Sequence, residues 1–218
     1  MPRSKFTTPV PETLTETFQL ANKRFYREEE DYDWVRATDR LVGVESIFHK
    51  FRERTVRKLI GRYGRPGQYL DAGCGSGLFL RHLPPGSVGL DINPRNIDRA
   101  RQHAPHAEPV LGDIEAMPFP DGTFSTVVLT EVIEHLPDPR PALREVMRVI
   151  TSAGIVIGST PRRSIFWKLR GLSSTCPGEP FHREFSRQEL YQLLAAFGRP
   201  TVAMKHFGMT WAFTLQRR

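Results

Sequence analysis

Residues 70–80 read LDAGCGSGLFL: an apolar stretch ending in aspartate, glycines at 73, 75 and 77, then a second apolar run. Little else in the chain constrains the fold so tightly. Glycines placed this closely mark a turn that needs positive φ, or a place where a ligand comes up against the backbone. In an open α/β sheet such turns lie at the carboxyl ends of strands, where ligands bind. GQYLDAG supplies the strand, and LFLRHL is expected to open a helix.

The sequence that follows keeps alternating. SVGLDI reads as a second strand and NPRNIDRARQHA as a helix with Pro94 near its start. AEPVLGDI is a short third strand, FSTVVLT a fourth, RPALREVMRVI a helix and GIVIGSTP a fifth strand. Strand–helix alternation predicts a mostly parallel sheet with helices on both faces. RPTVAMKHFGMTWAFTLQRR reads as two strands around Gly208, an antiparallel pair that closes the sheet. SRQELYQLLAAFG is a helix with Ser186 as N-cap and Glu189 at the capping-box position. Residues 161–185 are too long for a tight connection, so a lid or substrate loop is expected there. Upstream, 12–27 and 45–63 read as helices, the second stopped by Gly64, Pro66 and Gly67. The expected organisation is a tail and cap helix over 1–40 and one α/β domain over 41–218.

Composition narrows the class. With 218 residues, 39% of them apolar and 25% charged, the chain suits one soluble domain with a full core. No apolar run approaches the ~20 residues of a membrane span, and MPRSKFTTPVPETL lacks a signal-peptide apolar segment. Two cysteines, Cys74 and Cys176, make no disulfide or zinc framework. A cytoplasmic location is the expectation. The net charge of +7 favours anionic partners, nucleic acid or a membrane surface, unless the cations are simply solvated.

Two further strand ends carry acids. Asp91 closes GLDI, placed to accept hydrogen bonds from both hydroxyls of a ribose. Asp113 and Ile114 follow the third strand, an acid for an adenine amino group and an apolar neighbour for the ring face. On LDAGCGSG, GLDI, GDIEAMPFPDGTFSTVVL and EHLPDP, in this order and spacing, the chain resembles the class I S-adenosylmethionine-dependent methyltransferases from about Gln68 to Gly158. The resemblance implies a Rossmann-like, doubly wound sheet of seven strands with the last antiparallel. It implies S-adenosylmethionine as cofactor, with Asp71, Gly73, Cys74, Gly75 and Gly77 at its methionine part. Asp91 and Ile92 would take the ribose, and Asp113 and Ile114 the adenine, with Thr130 also facing the cofactor.

The segment TEVIEHLPDP follows the fourth strand. If a helical turn starts after Thr130, Glu131, Glu134 and His135 share one face beside the expected methyl group. A divalent cation (Mg or Zn) is one physical solution for such a cluster, with His182 of the lid as a further ligand. The other is a loop-organising role for Glu134 and His135, with Glu131 facing solvent. Glu-x-x-Glu-His with a distant His is similar to ubiquinone-biosynthesis O-methyltransferases and to small-RNA 2′-O-methyltransferases. That resemblance implies metal ligation by Glu131, Glu134, His135 and His182; without a metal, His135 or His182 is the general base, and Glu131 completes the catalytic set. TSAG at 151–154, where these families carry KPGG, departs from the pattern.

The expected activity is O-methylation of a small-molecule hydroxyl. The alternatives are 2′-O-methylation of RNA and a regulatory protein that binds the cofactor without catalysis. His49, His82, His103, His106 and His206 read as surface residues without partners, and Cys74 as a packing side chain. Arg162, Arg163, Lys168 and Arg170, interleaved with Phe166 and Trp167, suit either a phosphate-bearing partner such as RNA or a membrane headgroup, or an amphipathic helix packed on the sheet.

Overall fold

The computed structural model describes residues 12–28, 33–39, 43–162, 181–205 and 210–218. Its strands are β1 (Tyr69–Ala72), β2 (Val88–Asp91), β3 (Glu108–Leu111), β4 (Phe124–Thr130), β5 (Ile150–Pro161), β6 (Arg199–Lys205) and β7 (Thr210–Gln216). Its helices are α1 (Glu12–Glu28), α2 (Trp34–Asp39), α3 (Gly43–Tyr63), α4 (Pro94–His103), α5 (Arg140–Val149) and α6 (Arg187–Ala195). The strands form one sheet in the order β3-β2-β1-β4-β5-β7-β6. All neighbours are parallel except those of β7, which runs antiparallel to both β5 and β6. The expected seven-stranded, doubly wound sheet with an antiparallel last strand is therefore what forms.

The centre of the sheet is covered on both faces, and the sequence there is apolar without alternation, as buried parallel strands require. In β4, Val127 and Leu129 pack into one core cluster with Leu143, Val146 and Leu190, while Val128 packs into another with Val56, Leu80, Ile97 and Ala100. Each fully buried aliphatic or Phe side chain contributes about 1.5–3 kcal/mol relative to exposure. The helices begin on local chemistry. Asn93 caps α4 by accepting from the Arg95 N–H at 2.9 Å, with Pro94 in the first turn. Ser186 and Glu189 cap α6 reciprocally, at 3.2 and 2.8 Å.

Two expected segments are corrected. LFLRHL forms only a short 3-10 turn, Leu80–His82. Pro84 and Pro85 follow at once; the residue before a proline is pushed out of the α region and proline has no N–H to give, so a helix cannot propagate. The strand expected at GIVIGSTP starts earlier, at Ile150, and carries TSAG as an irregularity: the register jumps between Phe124↔Ile150 and Thr126↔Ile155. Among the described residues no helix is long and apolar enough to cross a membrane. Most of the expected lid, 163–180, with Cys176, Arg163, Lys168 and Arg170, lies outside the described residues, as does His206.

Candidate active site

The glycine turn leaves β1 with its backbone in the left-handed region at Gly73 (φ 81°), Gly75 (51°) and Gly77 (94°). A Cβ at Gly73 would run into the Val132 methyl, and one at Gly77 would sit 3.2 Å from Ala100 Cα. The Gly73 and Cys74 amides donate to Leu90 O at 2.7 and 2.9 Å, fastening the turn to β2. Cys74 points inward, its thiol buried and held un-ionised by burial and then by the nearby Asp91 and Asp71 charges. It packs, as expected of it.

Asp91 ends β2 and is the hub of the turn. Its Oδ2 accepts from the Gly75 N–H at 2.9 Å, and its Oδ1 from the Asn93 N–H at 2.9 Å and Asn96 Nδ2 at 3.2 Å. Burial nevertheless holds its pKa above the usual carboxylate value, against the downward pull of those bonds. Asp71 at the end of β1 is fully buried, and neither carboxylate oxygen has a hydrogen-bond partner among the described residues. Burial, and next the Asp91 charge, push its pKa to about 7; the nearby Leu80 amide lowers it slightly. Two carboxylates beside three glycine amides, one with both oxygens unmet, suit a ligand that brings positive charge. S-adenosylmethionine, with an ammonium and a sulfonium, fits these residues.

Helix α1 roofs this end of the sheet, which the sequence did not disclose. Lys23 Nζ reaches Asp113 Oδ2 at 2.7 Å and pairs with Glu115. Asn22 Nδ2 donates to His135 O at 2.8 Å, and Tyr26 Oη lies 2.8 Å from His135 Nδ1. Asn93 Nδ2 donates to Tyr26 O at 3.0 Å. Asp113 thus has Oδ2 on Lys23 while Oδ1 accepts from the Glu115 N–H at 2.9 Å. Ile114 packs against the core and Ile92 is half-buried beside Asp91. Thr130 is buried, paired in register with Ser159. Three of the histidines read as partnerless have partners: His82 pairs with Glu53, His103 Nδ1 lies 2.9 Å from Ser76 O, and His106 Nε2 lies 3.1 Å from Leu83 O.

The TEVIEHLPDP segment differs from its expected geometry. No helical turn starts after Thr130: Glu131 is left-handed, at φ 53°, and only Ile133–His135 form a 3-10 turn. Such a conformation for a residue with a Cβ costs about 1–3 kcal/mol, so its surroundings must hold it. They do. The Glu131 N–H donates to Ser159 O at 2.9 Å, Glu131 Oε1 accepts from Ser159 Oγ at 2.8 Å, and Oε2 lies 3.1 Å from Arg52 Nη1 of α3. Glu131 therefore does not face solvent either. Glu134 is fully buried, with Oε2 accepting from Thr160 Oγ1 at 2.9 Å and Oε1 4.0 Å from His135 Nε2. Burial, and then the Glu131 charge, push its pKa well up.

The four expected metal ligands are therefore not assembled. Glu131 is committed to Arg52 and Ser159, and Glu134 to Thr160. Among the described residues no group of three or more His, Cys, Asp or Glu is arranged to hold a metal ion. What does come together is a pair of imidazoles: the His135 and His182 rings lie 5.3 Å apart, edge to face. The Arg183 N–H donates to Glu134 O at 2.9 Å, which brings the end of the expected lid to the site. His182 lines an open cavity of about 560 Å³ with Pro137, Phe181, Arg183 and Glu184.

A seven-stranded sheet in this order, with a glycine turn after β1 and an acid at the end of β2, is the fold of class I S-adenosylmethionine-dependent methyltransferases. Residues 70–158 match the family model of a methyltransferase domain. The chain is 33% identical over 150 residues to a probable S-adenosylmethionine-dependent methyltransferase of Mycolicibacterium smegmatis, covering 67% of this chain and 55% of that one. It is 33% identical over 147 residues to a malonyl-[acyl-carrier protein] O-methyltransferase of Serratia marcescens, covering 65% and 52%. In fold it is similar to a solved SAM-dependent methyltransferase of Thermotoga maritima, with a TM-score of 0.68 at 19% identity over 92% of this chain and all of that one. Over residues 70–158 the chain matches this methyltransferase domain, and it spans about half the length of the curated relatives it matches.

Proposed function

We propose that the chain moves a methyl group from S-adenosylmethionine to a hydroxyl oxygen of a small-molecule acceptor, with His135 taking the acceptor's proton. The observation that carries this reading is the contact between Tyr26 Oη and His135 Nδ1, 2.8 Å, under the roof of α1. In the tautomer with its proton on Nδ1, His135 donates to Tyr26 and its Nε2 carries the lone pair that a base needs. The cofactor, when bound, supplies an electrophilic methyl on a sulfonium sulfur. The glycine turn and Asp71 hold its methionine part, Asp91 its ribose, and Asp113 with Ile114 its adenine. What remains for the chain is to align the acceptor and remove its proton, and alignment accounts for much of the rate in such a displacement.

The cavity beside His182, about 560 Å³, has the size of a small-molecule site. The Serratia relative is named for O-methylation, which agrees with an oxygen acceptor. A base fits the residues better than a metal, because the Glu131 carboxylate is already neutralised by Arg52. The test is turnover with methyl-labelled S-adenosylmethionine across phenols, alcohols and carboxylic acids. The expected result is transfer to a hydroxyl, with His135→Gln lowering kcat roughly 10²–10⁴-fold and leaving the Kd for S-adenosylhomocysteine unchanged. Transfer that survives both His135→Gln and His182→Gln would replace the base with simple positioning.

A further inference from the structure

Helix α3 has two unlike sides. Its inner side carries Val56, the Arg52 that reaches Glu131, and Glu53. Its outer side is exposed at Lys50, Arg54, Arg57 and Lys58, then Arg62, and the exposed Arg65 follows its last turn. Positions 50, 54, 57, 58 and 62 fall on one stripe at 3.6 residues per turn. These six cations account for most of the +7 net charge of the chain. The only acid between 50 and 65 is Glu53, and it is buried. Arg81 Nη2 lies 3.2 Å from it and His82 pairs with it too, so it offsets none of the outward charge. The exposed acid at Arg81, Asp39, is held by two bonds from the Arg81 guanidinium at 2.7 and 3.0 Å. A groove of about 480 Å³ runs along this side, lined by Arg54, Arg57, Lys58, Ile60, Gly61 and His82. A Cβ at Gly61 would meet nothing within 4 Å, so the glycine keeps the groove open without being needed for packing.

Exposed apolar side chains lie on α3 itself and on α1. Among the described residues the exposed large hydrophobics are Phe18, Leu20, Phe51, Leu111 and Tyr191. Three of these five belong to α1 and α3, the helices whose Tyr26 and Arg52 reach the end of β4. Phe51 is 43% exposed and Leu20 is 66% exposed. A basic helix side with apolar residues at its rim is the pattern of a protein that lies on an anionic bilayer: cations at the headgroups, apolar tips below them. A nucleic-acid groove would instead alternate cations with stacking aromatics, and Phe51 is the only exposed aromatic residue between 50 and 65.

We propose that the outer side of α3, with Phe51, docks the protein on anionic phospholipid. The experiment is sedimentation of the full chain with phosphatidylcholine vesicles, with and without phosphatidylglycerol, at rising salt. Binding is expected to need the anionic lipid and to weaken with salt. At roughly fivefold per charge, Arg54→Glu/Lys58→Glu/Arg62→Glu should weaken it by more than about 100-fold. The milder Arg54→Gln/Lys58→Gln/Arg62→Gln, which keeps helix propensity, should weaken it less. Phe51→Ser should lower the part of the binding that resists salt. Circular dichroism confirms the fold of each variant. Equal binding to neutral vesicles, or charge variants that fold and bind like the parent, would overturn the proposal. So would tighter binding of RNA oligonucleotides that the same variants abolish.

Discussion

The carboxylates of Asp71 and Asp91 stand at the ends of neighbouring parallel strands, and among the described residues they are met very unequally. Asp91 collects the Gly75 and Asn93 amides and Asn96, while Asp71, fully buried one strand over, collects none of these. The two pKa values are raised for the same first cause, burial, and Asp71 is raised further by the Asp91 charge. An electrostatic defect of this kind, left in place by the fold, stores free energy for a cationic ligand to release.

The ligand-free protein should therefore lose stability as pH rises. Asp71 has a native pKa of about 7 against an ordinary 3.8. Between those values the unfolded chain gives up the proton and the native chain keeps it, so stability is full below about pH 4 and declines until about pH 7, by up to about 4 kcal/mol. Asp71→Asn should flatten this slope, raise the apo Tm above pH 7 and weaken S-adenosylmethionine binding. Below pH 7, binding to the parent protein should release a proton, read by calorimetry as an enthalpy that varies with the buffer's ionisation heat. An unchanged slope in Asp71→Asn would assign the pH dependence elsewhere.

Glu131 is predicted to be a stability residue. Its side chain is 14% exposed and that of Arg52 10%, so removing the carboxylate takes an ion-pair partner from a buried guanidinium. Glu131→Ala should cost about 3–5 kcal/mol, a Tm drop of roughly 10 °C for a chain of this size. Glu131→Gly removes the same ion pair but relieves the left-handed backbone, and should recover about 1 kcal/mol of that loss. Denaturant titration ranks the two; an alanine variant at least as stable as the glycine one would refute the role of φ.

Tyr26→Phe isolates the positioning role of the roof. The ring stays against His135 while the Oη contact to Nδ1 disappears. The expected result is a kcat lower by about tenfold with KM and S-adenosylhomocysteine affinity nearly unchanged, since orientation rather than binding is lost. Imidazole ¹⁵N shifts should show the Nδ1–H tautomer of His135 giving way to a mixture. A tautomer ratio identical to the parent's would separate Tyr26 from the chemistry.

The sheet was legible because its signals are local. The apolar run of β4, the glycines at 73, 75 and 77 and the Asn93–Pro94 start of α4 each dictate structure within a few residues. The roof was not. Nothing local distinguishes Asn22, Lys23 or Tyr26 from solvent-facing positions of a polar helix; their roles come from contacts about 90 to 113 residues away. Glu131 misled for the opposite reason. Its three- and four-residue spacings to Glu134 and His135 fit a helical face, but Ser159 and Arg52 hold the backbone in the one conformation that breaks that face. Pro84 and Pro85, beside an apolar run that looked helical, were the local clue to the shortened turn after the glycines.

The position of β7 has a consequence for how the chain comes off the ribosome. The strand made before it, β6, lies outside it at the sheet's edge, and β5 lies on its other side. Until residues 210–216 emerge, β6 lacks the strand it pairs with and β5 has an open flank, so this half of the sheet closes only after them. The half that carries the glycine turn, Asp91 and the β4 end needs none of those residues to pair. A nascent chain could thus hold the cofactor-facing strands in register while its other edge is still unmade.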